Sequence, residues 1–423
     1  MEENVSRERR KLFRGGLILI SGLCAVGAGL SLGGGIRTLG GPDLRPALCL
    51  LFAAALLFQG YSDLPGPHPY SGAYRWAVRI SGVVIAFLVY DLGILIPVRI
   101  VEFCVPAARG NRTLKAVTAV TAACLSLGIT AGGVIHARSV RVQPYRVPTA
   151  ALDEGETYRV VQLSDLHIGS IIGKRYLSRV MERVNALRPD LIVITGDLIN
   201  HGGMNECGDA DGAARILAGM RARDGVYAVT GNHDPDPSDP AFGRFFSEAG
   251  IRLLRNQSAV LPHCVLLGRD GAHMTDRPPI GSFLPEHAQN RVRIVLDHYP
   301  DGLREASEAG ADLFLCGHTH NGQYFPLMYM IRWKYRHGTS YGKSDCHGTT
   351  CIVSSGTGCF QIPIRIGTDS EIVCADLYGA KRRRTDGNPD DHRPPLRRTP
   401  SGDAVQPCRE QRPDGDPGMA SQP

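Results

Sequence analysis

Four apolar stretches within the first 137 residues constrain this chain more than any other feature. Residues 15–36 (GGLILISGLCAVGAGLSLGGGI), 46–61, 80–98 and 116–135 are each bounded by Arg, Lys, Pro or aromatic residues, as suits a membrane–water interface. Backbone in hydrocarbon has no water to bond, so a spanning segment has to be a helix or part of a closed barrel. The first stretch supplies about 20 uncharged residues behind the basic flank RERRKLFR, enough to cross a bilayer. Its length, the apolar stretches that follow and the lack of a small-residue cleavage site distinguish it from a signal peptide. The sequence therefore predicts a multi-pass region over 1–137 with four transmembrane helices and the lipid bilayer as its partner. The third stretch contains Asp91, which in hydrocarbon needs a partner, an interior-facing position or a place near the headgroups. With four crossings from a cytoplasmic start, ten Lys/Arg fall on the cytoplasmic side and six on the other, so the positive-inside rule puts the following domain in the cytoplasm.

The net charge of +6 divides unevenly: +9 over 1–150, −5 over 151–378 and +2 over 379–423. A nucleic-acid-binding protein would concentrate its basic excess on the folded, site-bearing part. Here that part is acidic, which argues against nucleic acid as a partner. The twelve Cys show no CxxC pair and no zinc-ribbon spacing, so no disulfide framework is expected. The seven between 151 and 378 read as buried reduced thiols. Residues 138–157 read as a linker. The tail 379–423, rich in Pro, Gly and mixed charge, cannot bury enough apolar surface to offset its entropy and is expected to be disordered. Its basic run Lys381–Arg384 could touch anionic lipid or be simply solvated.

Residues 158–378 form a domain-sized stretch of short β-rich runs ending in Gly/Asp/Asn/His turns: 158–163, 190–194, 225–229, 264–267, 292–296, 312–316, 351–354 and 372–376. Between the first two, Leu177, Val180, Met181, Val184 and Leu187 recur at helical spacing. Strands alternating with helices predict a largely parallel core, and the crowding of the later strands predicts a second, partly antiparallel sheet. The expected fold is a two-sheet α/β sandwich.

The ends of these runs carry the chemistry. LSDLHIG gives Asp165 and His167, TGDLIN gives Asp197, and TGNHD gives Asn232, His233 and Asp234; LDHYPD gives His298, and CGHTHNG gives His318 and His320. Ligands of open α/β sheets gather at the carboxyl ends of strands, so these groups should converge. Asp, His and Asn without thiolate suit Mn, Fe, Zn or a related divalent ion. Seven ligands exceed what one ion takes while also binding water, but they suit two ions sharing one carboxylate. That arrangement clamps a phosphoryl group and lowers the pKa of a bridging water toward about 7. Asp197, alone after its strand and central in the order, is the natural bridge.

DxH, GD, GNHD, H and GHTH in this order resemble the calcineurin-like metallophosphoesterase superfamily over roughly 158–377. The resemblance implies that Asp165, His167, Asp197 and His320 hold one metal and Asp197, Asn232, His298 and His318 the other. It also implies that His233 contacts phosphate and protonates the leaving oxygen, with attack by a hydroxide held between the metals. The apolar segments, HYPD, GHTHNGQ and the closing SSGTGCFQIPIRIG are most similar to a membrane-associated bacterial branch, some of whose members hydrolyse the pyrophosphate of a UDP-diacylglucosamine lipid precursor. Asn321 departs from the pattern, where a second Gly is usual, and bears on the shape of that loop. Asp234 reads as a turn cap rather than a ligand. A phosphorylated small molecule or lipid is the expected substrate. Soluble nucleotides, phosphoproteins, and a metal-dependent sensor or scaffold without turnover are the alternatives. The segment PLMYMIRWKYRHG (326–338) could bind an acyl chain together with an anionic headgroup, or be an ordinary packing loop.

Overall fold

The computed structural model describes residues 22, 24–62, 71–200, 203–236, 238–271, 277–285, 291–336, 338–380 and 409–410. Residues 1–136 and 361–364 form one compact unit and the remaining chain a second.

The first unit is helical. Residues 24–38 are helical, followed by α1 (Arg45–Ser62), α2 (Gly72–Cys104) and α3 (Arg112–His136). These three are long and apolar enough to cross a membrane. The expected spans 46–61, 80–98 and 116–135 thus fall inside α1, α2 and α3, while residues 15–21 and 23 of the first expected span lie outside the described residues. α2 overruns its expected span at both ends, and with 33 residues it is about 50 Å long, well beyond a hydrocarbon core of about 30 Å. Asp91 is buried within it. Near its end Arg99 pairs with Glu102 at 2.6 Å and donates to the Lys115 carbonyl and the Ser31 hydroxyl, the polar company that charges withdrawn from water require.

The second unit holds two sheets. Its elements are β1 (Val140–Glu154), β2 (Thr157–Leu163), α4 (Lys174–Ala186), β3 (Leu191–Thr195), α5 (Ala210–Leu217), β4 (Val226–Val229), α6 (Pro240–Glu248), β5 (Arg252–Leu253), β6 (Gln257–Val260), β7 (Cys264–Gly268), β8 (Val292–Leu296), α7 (Leu303–Glu308), β9 (Leu313–Cys316), α8 (Leu327–Lys334), β10 (Gly342–Cys346), β11 (Thr349–Val353), β12 (Ser370–Gly379) and β13 (Arg409–Glu410). One sheet runs β1-β12-β2-β3-β4-β5 and the other β13-β10-β11-β9-β8-β7-β6. β2, β3, β4 and β5 are mutually parallel, as are β7, β8, β9 and β11. The antiparallel pairs are β12 with β2, β6 with β7, and β10 with β11 and β13.

Alternation along the strands assigns each face. Leu191 and Val193 of β3 join Ile294 and Leu296 of β8 and Leu313 and Leu315 of β9 in a core between the sheets. Ile192 and Ile194 face the opposite way, onto Leu177, Val180 and Val184 of α4, while Phe314 and Cys316 pack with Leu303 and Ala306 of α7. Strands covered on both faces read as continuous apolar runs, here LIVIT and LFLC. The two-sheet α/β sandwich is therefore the observed fold.

Residues 138–157, expected as a linker, instead hold β1, which pairs in parallel with β12 from Val140↔Ser370 to Thr149↔Gly379. Of the seven cysteines expected as reduced thiols, six are free and buried, and Cys346 departs from expectation in being disulfide-bonded. The tail expected to be disordered lies outside the described residues, except for 379–380 and β13. Residues 326–338, which could have been a loop, contain α8.

Candidate metal centre

Each sequence-derived site residue sits just past a strand: Asp165 and His167 after β2, Asp197 after β3, Asn232 and the non-ligand His233 after β4, His298 after β8, and His318 and His320 after β9. Parallel pairing points β2, β3 and β4 in one direction and β8 and β9 likewise, so groups more than 150 positions apart in sequence meet. Two groups result, Asp165–His167–His320 and Asp197–His298–His318, the ligand atoms within each lying within 4.8 Å of one another.

The contacts within these groups bring the nitrogen and oxygen atoms that could bind a cation face to face. His298 Nε2 lies 3.1 Å from Asn232 Oδ1, 3.2 Å from His318 Nδ1 and 3.2 Å from Asp197 Oδ2. His298 Nδ1 faces the Thr195 carbonyl at 2.9 Å, a contact that fixes Nδ1 as the donor and turns Nε2 toward the cluster. One proton on Nε2 cannot serve three acceptors. In the other group His167 Nε2 and His320 Nε2 are 3.1 Å apart, His320 Nε2 is 3.3 Å from Asp165 Oδ1, and His167 Nε2 reaches Asp197 Oδ2 at 3.8 Å. Ligands held at about 2.1 Å from a cation are separated by about 3.0 Å in octahedral and about 3.4 Å in tetrahedral geometry. The residues therefore fit divalent metals in both groups, with Asp197 reaching from one to the other.

The protonation balance points the same way. Burial pushes His167 and His318 down to about 3 and His320 well below its usual value, so all three imidazoles are neutral with lone pairs available. Burial also raises Asp165 to about 6. Burial opposes the ionisation of Asp197 too, but His298 beside it outweighs that and holds the carboxyl below the usual carboxylate range. Conversely, Asp197 overcomes burial at His298 and raises it to about 10. The proton held between that pair marks a place for positive charge.

The backbone here is unusual. Asp165, His167, Asp197, His318 and His320 all have φ between 48° and 70°, a left-handed conformation that costs about 1–3 kcal/mol per residue and persists where the surroundings over-determine it. Two glycines let the loops close: a Cβ on Gly231 would sit 2.1 Å from Asp197 Oδ1, and one on Gly317 would sit 1.9 Å from Ser164 Oγ. Asn321 has φ 48° and ψ 34°, a left-handed region that Asn tolerates. Asp234 accepts from the backbone N–H groups of Ile199 (2.9 Å) and Gly231 (2.8 Å), a cap on the turn.

Several neighbours went unnoticed in the sequence. Ser164 Oγ donates to Asp165 at 2.5 Å. The Phe360 ring lies 4.5 Å from that of His233 and 5.2 Å from that of His167, and Tyr299 lies 4.6 Å from His318. Buried Arg365 donates to the carbonyls of His320, Ser355 and Gly358, clamping the His320 loop to the segment after β11. The only signal for Phe360 and Arg365 was their place in the SSGTGCFQIPIRIG run; Ser164 and Tyr299 adjoin ligands in sequence.

Residues 158–322 match the family described as calcineurin-like phosphoesterase. A transmembrane protein with metallophosphoesterase domain from Danio rerio is 33% identical over 272 residues, covering 59% of this chain and 61% of that protein. An uncharacterized metallophosphoesterase from Helicobacter pylori (strain J99) is 30% identical, covering 51% and 58%, and one from Aquifex aeolicus is 28% identical, covering 57% and 92%. The chain spans about three-fifths of the length of the first curated relatives it matches.

Proposed function

We propose, for a chain that carries a calcineurin-like metallophosphoesterase domain over residues 158–322, that it hydrolyses phosphoester or pyrophosphate bonds at a binuclear metal centre. The observation that carries this is the pair of adjoining Asp/His groups, with Asp197 Oδ2 3.2 Å from His298 Nε2 and 3.8 Å from His167 Nε2. Asp165, His167, Asp197 and His320 would hold one ion of the Mn, Fe or Zn kind, and Asp197, Asn232, His298 and His318 the other. Such a pair supplies Lewis-acid polarisation of phosphoryl oxygens and an acidified water as nucleophile.

The chain's own residues supply position and protons. The His233 N–H donates to Asp197 Oδ1 at 2.8 Å, which orients the shared carboxylate. The His233 ring, half-buried and edge-on to His167 at 5.3 Å, is the group suited to contact phosphate and protonate the leaving oxygen. The Phe360 ring lies against both rings.

The proposed substrate is lipid-borne, of the kind of a UDP-diacylglucosamine-like glycolipid precursor. Support comes from the tether: three residues separate α3, long and apolar enough to cross a membrane, from β1, so the domain stays near a bilayer surface. In detergent with Mn²⁺ the full-length chain should hydrolyse bis-p-nitrophenyl phosphate, and Asp197→Asn should lose both metal occupancy and turnover. An Asp197→Asn chain that kept two metals and full activity would overturn the assignment. Incubation with phospholipid and nucleotide-sugar-lipid pools, read by mass spectrometry, tests the substrate; unchanged lipids beside efficient turnover of soluble nucleotides would sink the lipid reading.

A further inference from the structure

Residues 325–336 break the pattern of the second unit's surface. Among its described residues, every large apolar side chain that is exposed lies here except Val260: Phe325 at 48%, Tyr329 at 58%, Met330 at 64% and Trp333 at 70% exposure. α8 fully buries none of its residues. Leu327, Met328 and Ile331 are half covered, which leaves Tyr329, Met330 and Trp333 on the other face, with the Phe325 ring edge-on to Tyr329 at 5.9 Å. A contiguous apolar patch on a soluble surface marks an interaction site. Exposed Arg332, Lys334 and Arg336 flank it, the last lying over the Trp333 ring at 4.9 Å, and no Asp or Glu occurs between 325 and 338. Aromatic and Met side chains bordered by cations are the composition of helices that lie in a membrane interface.

We propose that α8 is an interfacial anchor, seating Tyr329, Met330 and Trp333 at the headgroup–acyl boundary of an anionic bilayer while Arg332, Lys334 and Arg336 meet lipid phosphates. The membrane surface is the occupant because the charged residues of the segment itself, Arg332, Lys334 and Arg336, are all basic and it belongs to a unit tethered by three residues to α3. α8 packs against the turn at His320–Gly322, so a seated α8 holds the loop of His318 and His320 next to lipid. The reading needs no turnover, and its failure is separable from failure of the phosphoesterase proposal.

The chain's two tryptophans are Trp76 and Trp333, so Trp76→Phe leaves Trp333 as the sole emitter. The full-length Trp76→Phe chain is reconstituted in phosphatidylcholine vesicles with and without phosphatidylglycerol. With phosphatidylglycerol, Trp333 emission should shift to the blue, and brominated acyl chains should quench it by about twofold or more. Adding Arg332→Glu, Lys334→Glu and Arg336→Glu should abolish the part of the quenching that depends on phosphatidylglycerol. Emission that stays at the wavelength of a water-exposed indole and is quenched by iodide would overturn the proposal. So would shielding from iodide without quenching by bromine, the signature of a protein or second-copy occupant.

Discussion

At the scale of one residue, His233 is where the proposed roles of ligand and proton donor divide. It follows Asn232, whose Oδ1 lies in the cluster, yet His233 belongs to neither group of converging ligand atoms. Its contacts include the backbone bond to Asp197 and the ring contacts with His167 and Phe360. His233→Ala should therefore retain both metals by elemental analysis while turnover falls about 10²–10⁴-fold, the usual contribution of general acid–base catalysis. Loss of both metals would make His233 a ligand. The ligand types and their order were legible in the sequence, because Asp, Asn and His after apolar runs stand out without any knowledge of neighbours. The left-handed backbone at five of them was not, since each such φ is imposed by packing against loops far away, as where Asp165 N bonds the Gly196 carbonyl and His167 N the Asp197 carbonyl. Phe360 escaped for the same reason, since the rings of His233 and His167 come from more than 100 positions away, and so did the bond of Arg365 to the His320 carbonyl, 45 positions away.

Among the elements, β1 carries the sharpest difference between sequence and structure. Its run VRVQPYRVPTAALDE contains Pro144 and Pro148, which argue against a central strand because proline cannot donate to the ladder. β1 is at the sheet's edge, however, and two prolines four residues apart direct their missing N–H to the same side of the strand. That side can be the open one. Strands such as β3 and β9 were legible to within a residue or two because burial on both faces leaves an uninterrupted apolar run. β1 also covers β12, and its Tyr145 and Val147 are buried in the core between the sheets. Burying a side chain of this kind stabilises by about 1.5–3 kcal/mol. A chain truncated to 158–380 should thus be less stable than one covering 138–380 by at least about 3 kcal/mol, and should aggregate through the exposed edge of β12. Equal denaturant midpoints for the two would show that β1 contributes nothing.

For the molecule as a whole, the apolar helices and the second unit differ in the sign of their charge. The −5 of residues 151–378 includes Asp165 and Asp197, whose charge two divalent ions would more than offset, so a phosphate meets a weaker repulsion than the formal charge implies. Chelation removes that offset. Any group that binds only the folded state stabilises it by about 2.7 kcal/mol at a hundredfold excess over Kd. For a domain of this size that corresponds to about 5–10 °C of Tm, so EDTA should lower the melting temperature by that amount and Mn²⁺ should restore it; an unchanged Tm would mean that the Asp/His groups hold no structural cation. The +9 of residues 1–150 flanks the apolar helices, where Lys/Arg bias orientation. If the four crossings expected from the sequence hold, ten Lys/Arg against six place the second unit on the cytoplasmic side, which six free buried thiols would suit and a disulfide at Cys346 would not. Lys/Arg near helix ends act during insertion on every loop at once, whereas one disulfide records only the conditions around one residue, so the charge count takes precedence. Protease added to sealed right-side-out vesicles should then leave the 138–380 unit intact, and the same protease should release it from inverted vesicles. Release from the right-side-out vesicles would place the metal centre outside and make the Cys346 disulfide the better guide.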